Sequence, residues 1–216
     1  MKKIIFVWGG WEGHQPKETT EIFAQIMEKE GYKVEIYNTL DVFLDEKKLN
    51  SSSLIVLCWT MGKLSHEQTN KLLHAIKSGT GIAGWHGGLG DAFRENTEFQ
   101  FMVGGQFVNH PGGIVEYEVN IIKKDDPIVK GINDFKLKSE QYYMHVDPSN
   151  EILATTTFKN TEFEWINGVI MPSVWKRRYG KGRVFYASFG HQVSDFDIFE
   201  TREIVKRGML WACNDL

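Results

Sequence analysis

Apolar residues occur along the chain in two patterns of different period. Short continuous apolar runs, such as Ile4 to Trp8 and Leu54 to Trp59, are typical of strands that are covered on both faces. Between these runs, apolar positions recur on one face of a helix, as they do from Lys17 to about Glu30. The chain therefore begins with strands and helices in alternation.

The first half continues this alternation as far as residue 103. Predicted helices stop at Gly31 and Gly79, and Ser65 with Glu67 or Gln68 matches the residue types of a capping box at a helix start. The predicted strands cover residues 4–8, 33–37, 54–59 and 82–85, and the predicted helices cover 17–30, 65–78 and 93–103. Such strict alternation indicates a doubly wound parallel sheet.

The second half is richer in strands. Residues 114–122 alternate between apolar and polar, which predicts a half-exposed strand, and further strands are expected at 137–146, 152–158, 169–176 and 184–189. A last helix is expected from about Ile198 to Cys213. We therefore predict an α/β fold with a mostly parallel, doubly wound sheet and a strand-rich insertion. The length of 216 residues favours one domain over residues 1–216.

Charge and apolar content narrow the classes of function. The chain has 25 basic and 28 acidic residues and a net charge of -3, which argues against nucleic acid or an anionic membrane as a partner. The basic residues between Lys176 and Arg183 are interpreted as a solvated turn between two strands. No apolar run approaches the roughly 20 residues of a membrane span. The run that starts at Ile4 ends at Gly9 without a cleavage site, so we interpret it as a strand and not as a signal peptide.

The two cysteines, Cys58 and Cys213, lie in apolar surroundings and form no CxxC pair. Neither a disulfide framework nor a zinc ribbon is expected from them. We interpret both as core residues of a cytoplasmic protein, since a reducing compartment keeps such thiols free.

Polar residues directly after the predicted strands are candidates for chemistry, because ligands bind at the carboxyl ends of parallel strands. His14, His86 and His191 follow three different strands and are predicted to share one edge of the sheet. His86 stands in the segment GWHGG at residues 84–88, where an apolar strand breaks at glycines in the manner of a nucleophile elbow. For each histidine alone, a hydrogen bond to a loop carbonyl is an equally good explanation.

Other polar residues lie near the same predicted rim. His110 and His145 are close to turns and could reach it, whereas His66 and His74 lie within a helix and are interpreted as surface residues. Glu140 is the carboxylate that completes the set, although its spacing alone favours an exposed position on a strand.

Two kinds of chemistry fit such a set, and both stay open. Histidine titrates near neutral pH and serves as a general acid or base, while neutral histidines with a carboxylate bind zinc or a similar divalent ion. No HExxH or HxH spacing is present, so distant loops would have to assemble a metal site, with His14, His86 and His191 as candidate ligands. No GxSxG exists and neither cysteine lies at the elbow, which argues against a covalent nucleophile. The glycine loop at residues 9–13 lacks GxGxxG spacing, so NAD is not expected, and neither is a flavin.

Aromatic residues near glycines and histidines are a second indication. Aromatics make up 13% of the chain, and Trp11, Trp85, Tyr142 and Tyr143 are among those close to glycine or the candidate polar residues. Sugar rings pack their C–H faces on aromatic faces, although core packing is the simpler explanation for any one of these residues.

Several longer stretches are similar to the ThuA-like family, named for trehalose utilisation. Together they cover essentially the whole chain in order, and the last is the most specific. They are GWHGG at 84–88, GGQF at 104–107 with HP at 110–111, DPIVKGI at 126–132, SEQYY at 139–143, and the run from PSVW at 172 through RYGKGRVFY at 178–186 to GH at 190–191.

The resemblance implies a three-layer, flavodoxin-like fold within the class I glutamine amidotransferase-like superfamily. In amidotransferases the elbow carries a cysteine nucleophile. Here His86 lies in that region, so glutaminase activity is not expected. The resemblance also implies a role in the uptake and breakdown of sugars, including disaccharides and their keto derivatives.

Residues and resemblance together predict one carbohydrate site. Our first hypothesis is an enzyme, a hydrolase, lyase or isomerase, that uses acid–base or metal-assisted chemistry on a small sugar. The second is a non-catalytic sugar-binding or sensing module, and a third is an interaction domain; a homo-oligomer is compatible with each. The predicted catalytic residues are His86, Glu140, His14 and His191, and the predicted substrate-binding residues are Trp11, Trp85, Gly87, His110, Tyr142, Tyr143 and Arg178.

Overall fold

A large mixed sheet runs through both halves of the chain. The computed structural model describes residues 1–159 and 161–216. Its strands are β1 (Lys3–Gly10), β2 (Lys33–Tyr37), β3 (Leu54–Thr60), β4 (Gly81–Trp85), β5 (Gly105–Asn109), β6 (Ile114–Ile121), β7 (Phe135–Glu140), β8 (Tyr143–Val146), β9 (Glu151–Thr157), β10 (Ile170–Tyr179) and β11 (Gly182–Ala187). The strand order in the large sheet is β2-β1-β3-β4-β11-β10-β9-β6-β7, and β5 pairs with β8 in a separate ribbon.

Helices cover both faces of this sheet. They are α1 (Pro16–Lys29), α2 (Glu46–Asn50), α3 (His66–Ser78), α4 (Gly87–Gly90), α5 (Thr97–Val103) and α6 (Phe199–Ala212), with 3-10 turns at Glu12–His14, Leu40–Leu44, Glu164–Ile166 and Val193–Asp197. The capping box predicted before α3 is present, because Ser65 and Gln68 each accept a hydrogen bond from the backbone N–H of the other. None of the helices in the described residues has the length and apolar character that a bilayer crossing requires.

The parallel half has the doubly wound arrangement. β1 pairs in parallel with β2 and β3, β3 pairs with β4, and β4 pairs with β11. The order β2-β1-β3-β4-β11 corresponds to the 2-1-3-4-5 order of flavodoxin-like sheets. The predicted α/β fold class is confirmed.

The two faces of the sheet explain the continuous apolar runs. Side chains alternate along β1, so that Ile4 and Phe6 pack on the side of α1 and α6 while Ile5 and Val7 pack on the side of α2 and α3. All four side chains are fully buried. A strand covered on both faces needs apolar residues at every position, and β1 shows this pattern.

The strand-rich insertion extends the same sheet. β10 pairs antiparallel with β11 and β9, β9 with β6, and β6 with β7. The strand expected at 137–146 is in fact two strands, because the chain leaves the large sheet after Glu140 and enters the ribbon at Tyr143. This break places Glu140, Gln141 and Tyr142 at the end of a strand instead of within one.

Two further expectations need correction. The helix expected at 93–103 begins only at Thr97, where the side chain of Asn96 caps the N–H of Phe99; Phe93 has a positive φ of 50° that a helix does not allow. The basic segment does form a hairpin turn at its tip. However, Lys176 is buried and paired with Asp126, so this lysine is not solvated.

Candidate functional site

Four parallel strands end at one edge of the large sheet, and a polar side chain follows or terminates each. β1 leads to His14, β3 ends at Thr60, β4 is followed by His86, and β11 is followed closely by His191. β1 and β3 lie where the strand order reverses, which is where open α/β sheets bind ligands. The structure brings together the three histidines that were expected to share this edge, and all three are buried.

His86 has a backbone conformation that residues with a Cβ rarely adopt, with φ 48° and ψ -137°. Such strain costs about 1–3 kcal/mol and persists only where surrounding contacts enforce it. The His86 N–H donates to the Ala187 carbonyl at 2.7 Å, and the Tyr186 hydroxyl donates to the His86 carbonyl at 3.0 Å. A Cβ on Gly88 would lie 2.8 Å from the Cα of Cys58, so only glycine fits after the turn. The segment at 84–88 thus forms a strained elbow with His86 at its apex.

Glu140 enters the same site from the antiparallel half of the sheet. It is the last residue of β7 and only 8% exposed, in contrast to the exposed position that its spacing favours. Its Oε2 lies 3.0 Å from His86 Nε2, 3.2 Å from His191 Nδ1 and 3.7 Å from His14 Nε2. One ligand atom from each of these four residues lies within 4.8 Å of the others, and we call the group the histidine–glutamate cluster.

The contacts of His86 determine which ring nitrogen carries its proton. Nδ1 lies 2.8 Å from the carbonyl oxygen of Ser188, which can only accept, so Nδ1 is the donor. Burial lowers the pKa of His86 to about 4, which leaves the ring neutral at pH 7. The Nε2 of the neutral ring then carries a lone pair, which faces the carboxylate of Glu140.

The Glu140 carboxyl is ionised in this arrangement. Burial by itself would raise its pKa, but hydrogen bonds from His14 and His191 hold the pKa well below its usual range. An ionised carboxylate cannot donate to the lone pair of His86, so two acceptors stand 3.0 Å apart. A positive charge shared between them satisfies both.

The outer nitrogens of two histidines have partners that orient the rings. His14 Nδ1 lies 2.7 Å from the hydroxyl of Thr60, and His86 Nδ1 donates to Ser188 as described. Histidines that bind metals almost always have such an outer partner, which leaves the inner nitrogen free as a ligand. Gly87 allows His14 to approach, because a Cβ there would lie 2.5 Å from the His14 ring. The structure thus places Gly87 against His14.

Asp195 links the two segments that carry His191 and Glu140. Its Oδ2 accepts from the N–H groups of Gly190 at 3.2 Å and His191 at 2.8 Å, and from the hydroxyl of Ser139 at 2.6 Å. Burial raises the pKa of Asp195, although these donors oppose the shift. No motif marked this residue in the sequence, and its role is visible only because it contacts both segments.

A pocket of about 200 Å³ opens at the cluster, with His14 and Glu140 in its lining. Tyr142 stacks on His86 with ring centroids 3.9 Å apart, and Trp11 packs edge-on against His14 at 4.6 Å. Predicted residues Trp11, Tyr142 and His110 all line this pocket. The His110 Nε2 lies 3.7 Å from Glu140 Oε1.

One wall of the pocket was not anticipated from the sequence. Asp91 and Arg94 line it as a two-pronged ion pair, with Nε 2.5 Å from Oδ1 and Nη2 2.8 Å from Oδ2, and Phe107 lies beside them. The sequence contains one indication of this wall, which is an Asp and an Arg three residues apart directly after the glycines of the elbow.

Three residues expected to bind substrate lie elsewhere. Trp85 is only 1% exposed, because it is the last residue of β4 and points into the core against Phe23 and Phe196. Tyr143 packs on Phe158 and lines a separate apolar hollow. Arg178 is exposed in the lining of a cleft at the opposite edge of the sheet.

The remaining histidines lie outside the pocket lining. His145 is exposed, with its Nδ1 3.4 Å from the side chain of Gln106. His66 and His74 are exposed on α3, as expected for surface residues.

Comparison with known proteins agrees with this architecture. A family model described as trehalose utilisation, ThuA, matches residues 3–212. The chain belongs to the ThuA family. No curated protein matches the chain significantly.

Solved structures show the same fold at low sequence identity. A ThuA-like protein from Parabacteroides merdae is 21% identical with a TM-score of 0.81, and the alignment covers 98% of this chain and 90% of that one. A ThuA-like protein from Bacteroides uniformis is 16% identical with a TM-score of 0.80, over 99% and 91% of the two chains. A β-galactosidase from Bacillus circulans sp. alkalophilus is 10% identical with a TM-score of 0.63, over 98% of this chain but 30% of its own.

Proposed function

We propose that this ThuA-family chain is an enzyme that acts on a carbohydrate through a divalent metal ion bound by the histidine–glutamate cluster. One observation carries the proposal. The lone pair of His86 Nε2 and the ionised Oε2 of Glu140 face each other at 3.0 Å, with the proton of His86 held on its other nitrogen. Buried acceptors in this arrangement attract a cation.

The spacing of the four ligand atoms supports the same reading. Zinc bonds of about 2.0–2.2 Å place neighbouring tetrahedral ligands about 3.3–3.5 Å apart. The separations of Glu140 Oε2 from the three histidines are 3.0, 3.2 and 3.7 Å, and His86 Nε2 lies 3.3 Å from His191 Nδ1. Nitrogen and oxygen donors suit zinc and similar first-row ions.

The pocket residues have roles that follow from their chemistry. A bound ion supplies Lewis-acid polarisation of a sugar oxygen. His110, half-buried beside Glu140, is placed to donate or accept a proton at the substrate. Trp11, which is 47% exposed, offers an apolar face to a sugar ring. The carbohydrate itself is inferred from the family description and from these aromatic walls.

Metal analysis of protein purified without a histidine tag tests the proposal. We expect about one equivalent of a divalent ion per chain, and we expect His86→Ala to lose both the ion and turnover while its melting temperature stays close to that of the metal-free unaltered protein. Protein that is fully active without metal would overturn the metal assignment in favour of acid–base chemistry by Glu140 and the histidines. Sugar binding by the metal-loaded protein without any product would favour the non-catalytic alternative.

A further inference from the structure

We infer that the pocket binds a single uncharged monosaccharide ring, with Asp91 and Arg94 holding two neighbouring hydroxyls, while any further sugar unit of the substrate remains outside. The inference rests on the proposed function and specifies its substrate class. It is drawn from the size of the pocket, the pairing of Asp91 with Arg94, and the charges that face the cavity.

The size of the pocket sets an upper limit on what it can enclose. Its volume is about 200 Å³. Sites that enclose drug-sized ligands have volumes of roughly 300–1,000 Å³, and a disaccharide is a ligand of that size. The pocket therefore has room for about one pyranose or furanose ring.

The Asp91–Arg94 pair supplies a fixed donor and acceptor together. The Asp91 side chain is 4% exposed and holds the guanidinium through both carboxylate oxygens, whereas 53% of the Arg94 side chain is exposed. Pairing through Nε and Nη2 leaves the Nη1 donors of Arg94 without a partner among the described residues. A planar fork locked in this way offers donors beside a carboxylate acceptor, and neighbouring hydroxyls, which both donate and accept, can bond to the two together.

The charges around the cavity disfavour an anionic sugar. Two carboxylates, Asp91 and Glu140, line the pocket, and the one arginine in its lining is already neutralised by Asp91. A uronate or phosphate group held at the Asp91–Arg94 pair would lie against the Asp91 carboxylate, where the guanidinium is already paired. Uncharged hydroxyls, in contrast, can donate to the carboxylates and accept from Arg94.

The aromatic side chains fit the same ligand. The guanidinium carbon of Arg94 lies 5.5 Å from the ring centroid of Phe107, which helps to hold the fork in place. Trp11 lies on the rim and packs against His14. A ring that lies against Trp11 therefore reaches both the histidine–glutamate cluster and the Asp91–Arg94 pair.

Calorimetric titration tests the inference with defined probes. The protein is titrated, with its metal content measured in the same preparation, against D-glucose, D-galactose, D-mannose, D-fructose, trehalose, D-glucuronate and D-glucose 6-phosphate. We expect at least one neutral hexose to bind, trehalose to bind no more than about threefold tighter than that hexose, and the two anionic sugars to bind at least about tenfold more weakly. Binding of an anionic sugar that is less than about tenfold weaker than that of the hexose, or binding of trehalose that is more than about threefold tighter, overturns the inference.

Variants of the Asp91–Arg94 pair provide a second test of the inference. Arg94→Gln should weaken hexose binding about tenfold, because it removes charge-assisted donors to a hydroxyl. Asp91→Asn combined with Arg94→Gln should weaken it similarly and avoids leaving a buried carboxylate unpaired. Arg178→Gln at the opposite edge of the sheet is the matched control and should bind as the unaltered protein does. Hexose binding that is unchanged in both pocket variants contradicts the role of the pair.

The outcomes separate this inference from the proposed function. A metal-loaded protein that binds none of the hexoses overturns the inference, while the metal assignment stands on its own measurement. A protein that binds hexose through Arg94 but contains no metal overturns the metal assignment and leaves the inference intact.

Discussion

The cleft at the amino edge of the large sheet encloses about 580 Å³, nearly three times the roughly 200 Å³ of the pocket at the carboxyl edge. The larger cleft is lined by basic side chains and by the ends of helices. Lys2 donates to the Cys213 carbonyl at 3.0 Å and Arg183 to the Trp211 carbonyl at 2.9 Å, so these cations neutralise the carboxyl end of α6.

The smaller pocket is built in the opposite way. Its polar groups converge on one another, with His86 Nε2 and Glu140 Oε2 facing each other as two acceptors. At the amino edge, Lys2 and Arg183 donate to backbone carbonyls, whereas at the carboxyl edge the ligand atoms of four side chains converge on one another. Converging ligand atoms therefore identify a site better than the volume of a cavity does.

A substitution that closes the space behind His14 should have the largest effect on metal binding at the carboxyl edge. Gly87→Ala places a Cβ 2.5 Å from the His14 ring and 2.9 Å from the Thr60 hydroxyl. We expect metal affinity to fall by at least about 10–100-fold, since the ring loses its outer partner. Competition with a chelating dye measures the affinity. Gly131→Ala, where a Cβ meets no atom within 4 Å, should keep the affinity of the unaltered protein despite its strained backbone; an equal loss there would refute the role of Gly87.

Removing the acceptor that joins His191 to Glu140 comes next. Asp195→Asn replaces an oxygen that accepts three hydrogen bonds, two of them from backbone N–H groups. We expect the free energy of unfolding to drop by about 1–3 kcal/mol and metal affinity to fall with it. Urea denaturation and dye competition measure the two effects. Asp197→Asn, at an exposed position, serves as the control. A destabilised Asp195 variant with unchanged metal affinity would show that Asp195 supports the fold alone.

Substitutions at the amino edge should change stability and leave metal and sugar binding intact. Arg183→Gln removes a hydrogen bond to Trp211 and a guanidinium 5.1 Å from the indole ring, so we expect a loss of about 1–2 kcal/mol in the free energy of unfolding. Arg178 stands directly opposite Arg183 in the hairpin. Arg178→Gln should therefore be neutral or stabilise by a few tenths of a kcal/mol. Denaturation curves and metal content decide this, and a loss of metal in either variant would break the contrast between the edges.

The smallest expected effect concerns the two free thiols, one near each edge of the sheet. Cys58 lies behind the glycine turn of the elbow and Cys213 lines the amino-edge cleft. Burial raises the pKa of Cys58 to about 11 and that of Cys213 to about 12, so almost no thiolate forms at pH 8. We expect a thiol reagent such as DTNB to label neither residue in the folded protein and both after denaturation. Rapid labelling of Cys213 alone would show that the amino-edge cleft opens in solution.

Much of the parallel half could be predicted from local patterns. The runs at 4–8, 33–37 and 54–59 are strands, and Ser65 with Gln68 begins a helix, because each of these signals depends on residues close together in the chain. The strands of the antiparallel half were harder to predict from the sequence. The residues from 137 to 146 read as one strand, but they belong to two sheets that pair with β6 and with β5. Which partners a strand finds depends on distant segments that no short window contains.

The candidate site likewise contains residues that local patterns predict and residues that they do not. His14, His86 and His191 could be assigned to one edge, since parallel strands end on the same side and each histidine closely follows a strand. The burial of Glu140 could not, because it depends on where β7 ends. Trp85 was expected beside the sugar and lies in the core, since the direction of a side chain at the last position of a strand follows from how the sheet is covered.

The sequence by itself determined the alternation of strands and helices, the glycine turn at residues 84–88 and the presence of three histidines at strand ends. These are properties of neighbouring residues, and physical preferences over short distances are sufficient for them. Only the tertiary structure decided that Glu140 meets those histidines, that Asp195 joins their segments and that Asp91 with Arg94 forms a wall of the pocket. The contacts of Glu140 with the histidines join residues up to 126 positions apart, as His14 and Glu140 are, and such contacts exist only after the whole sheet has formed.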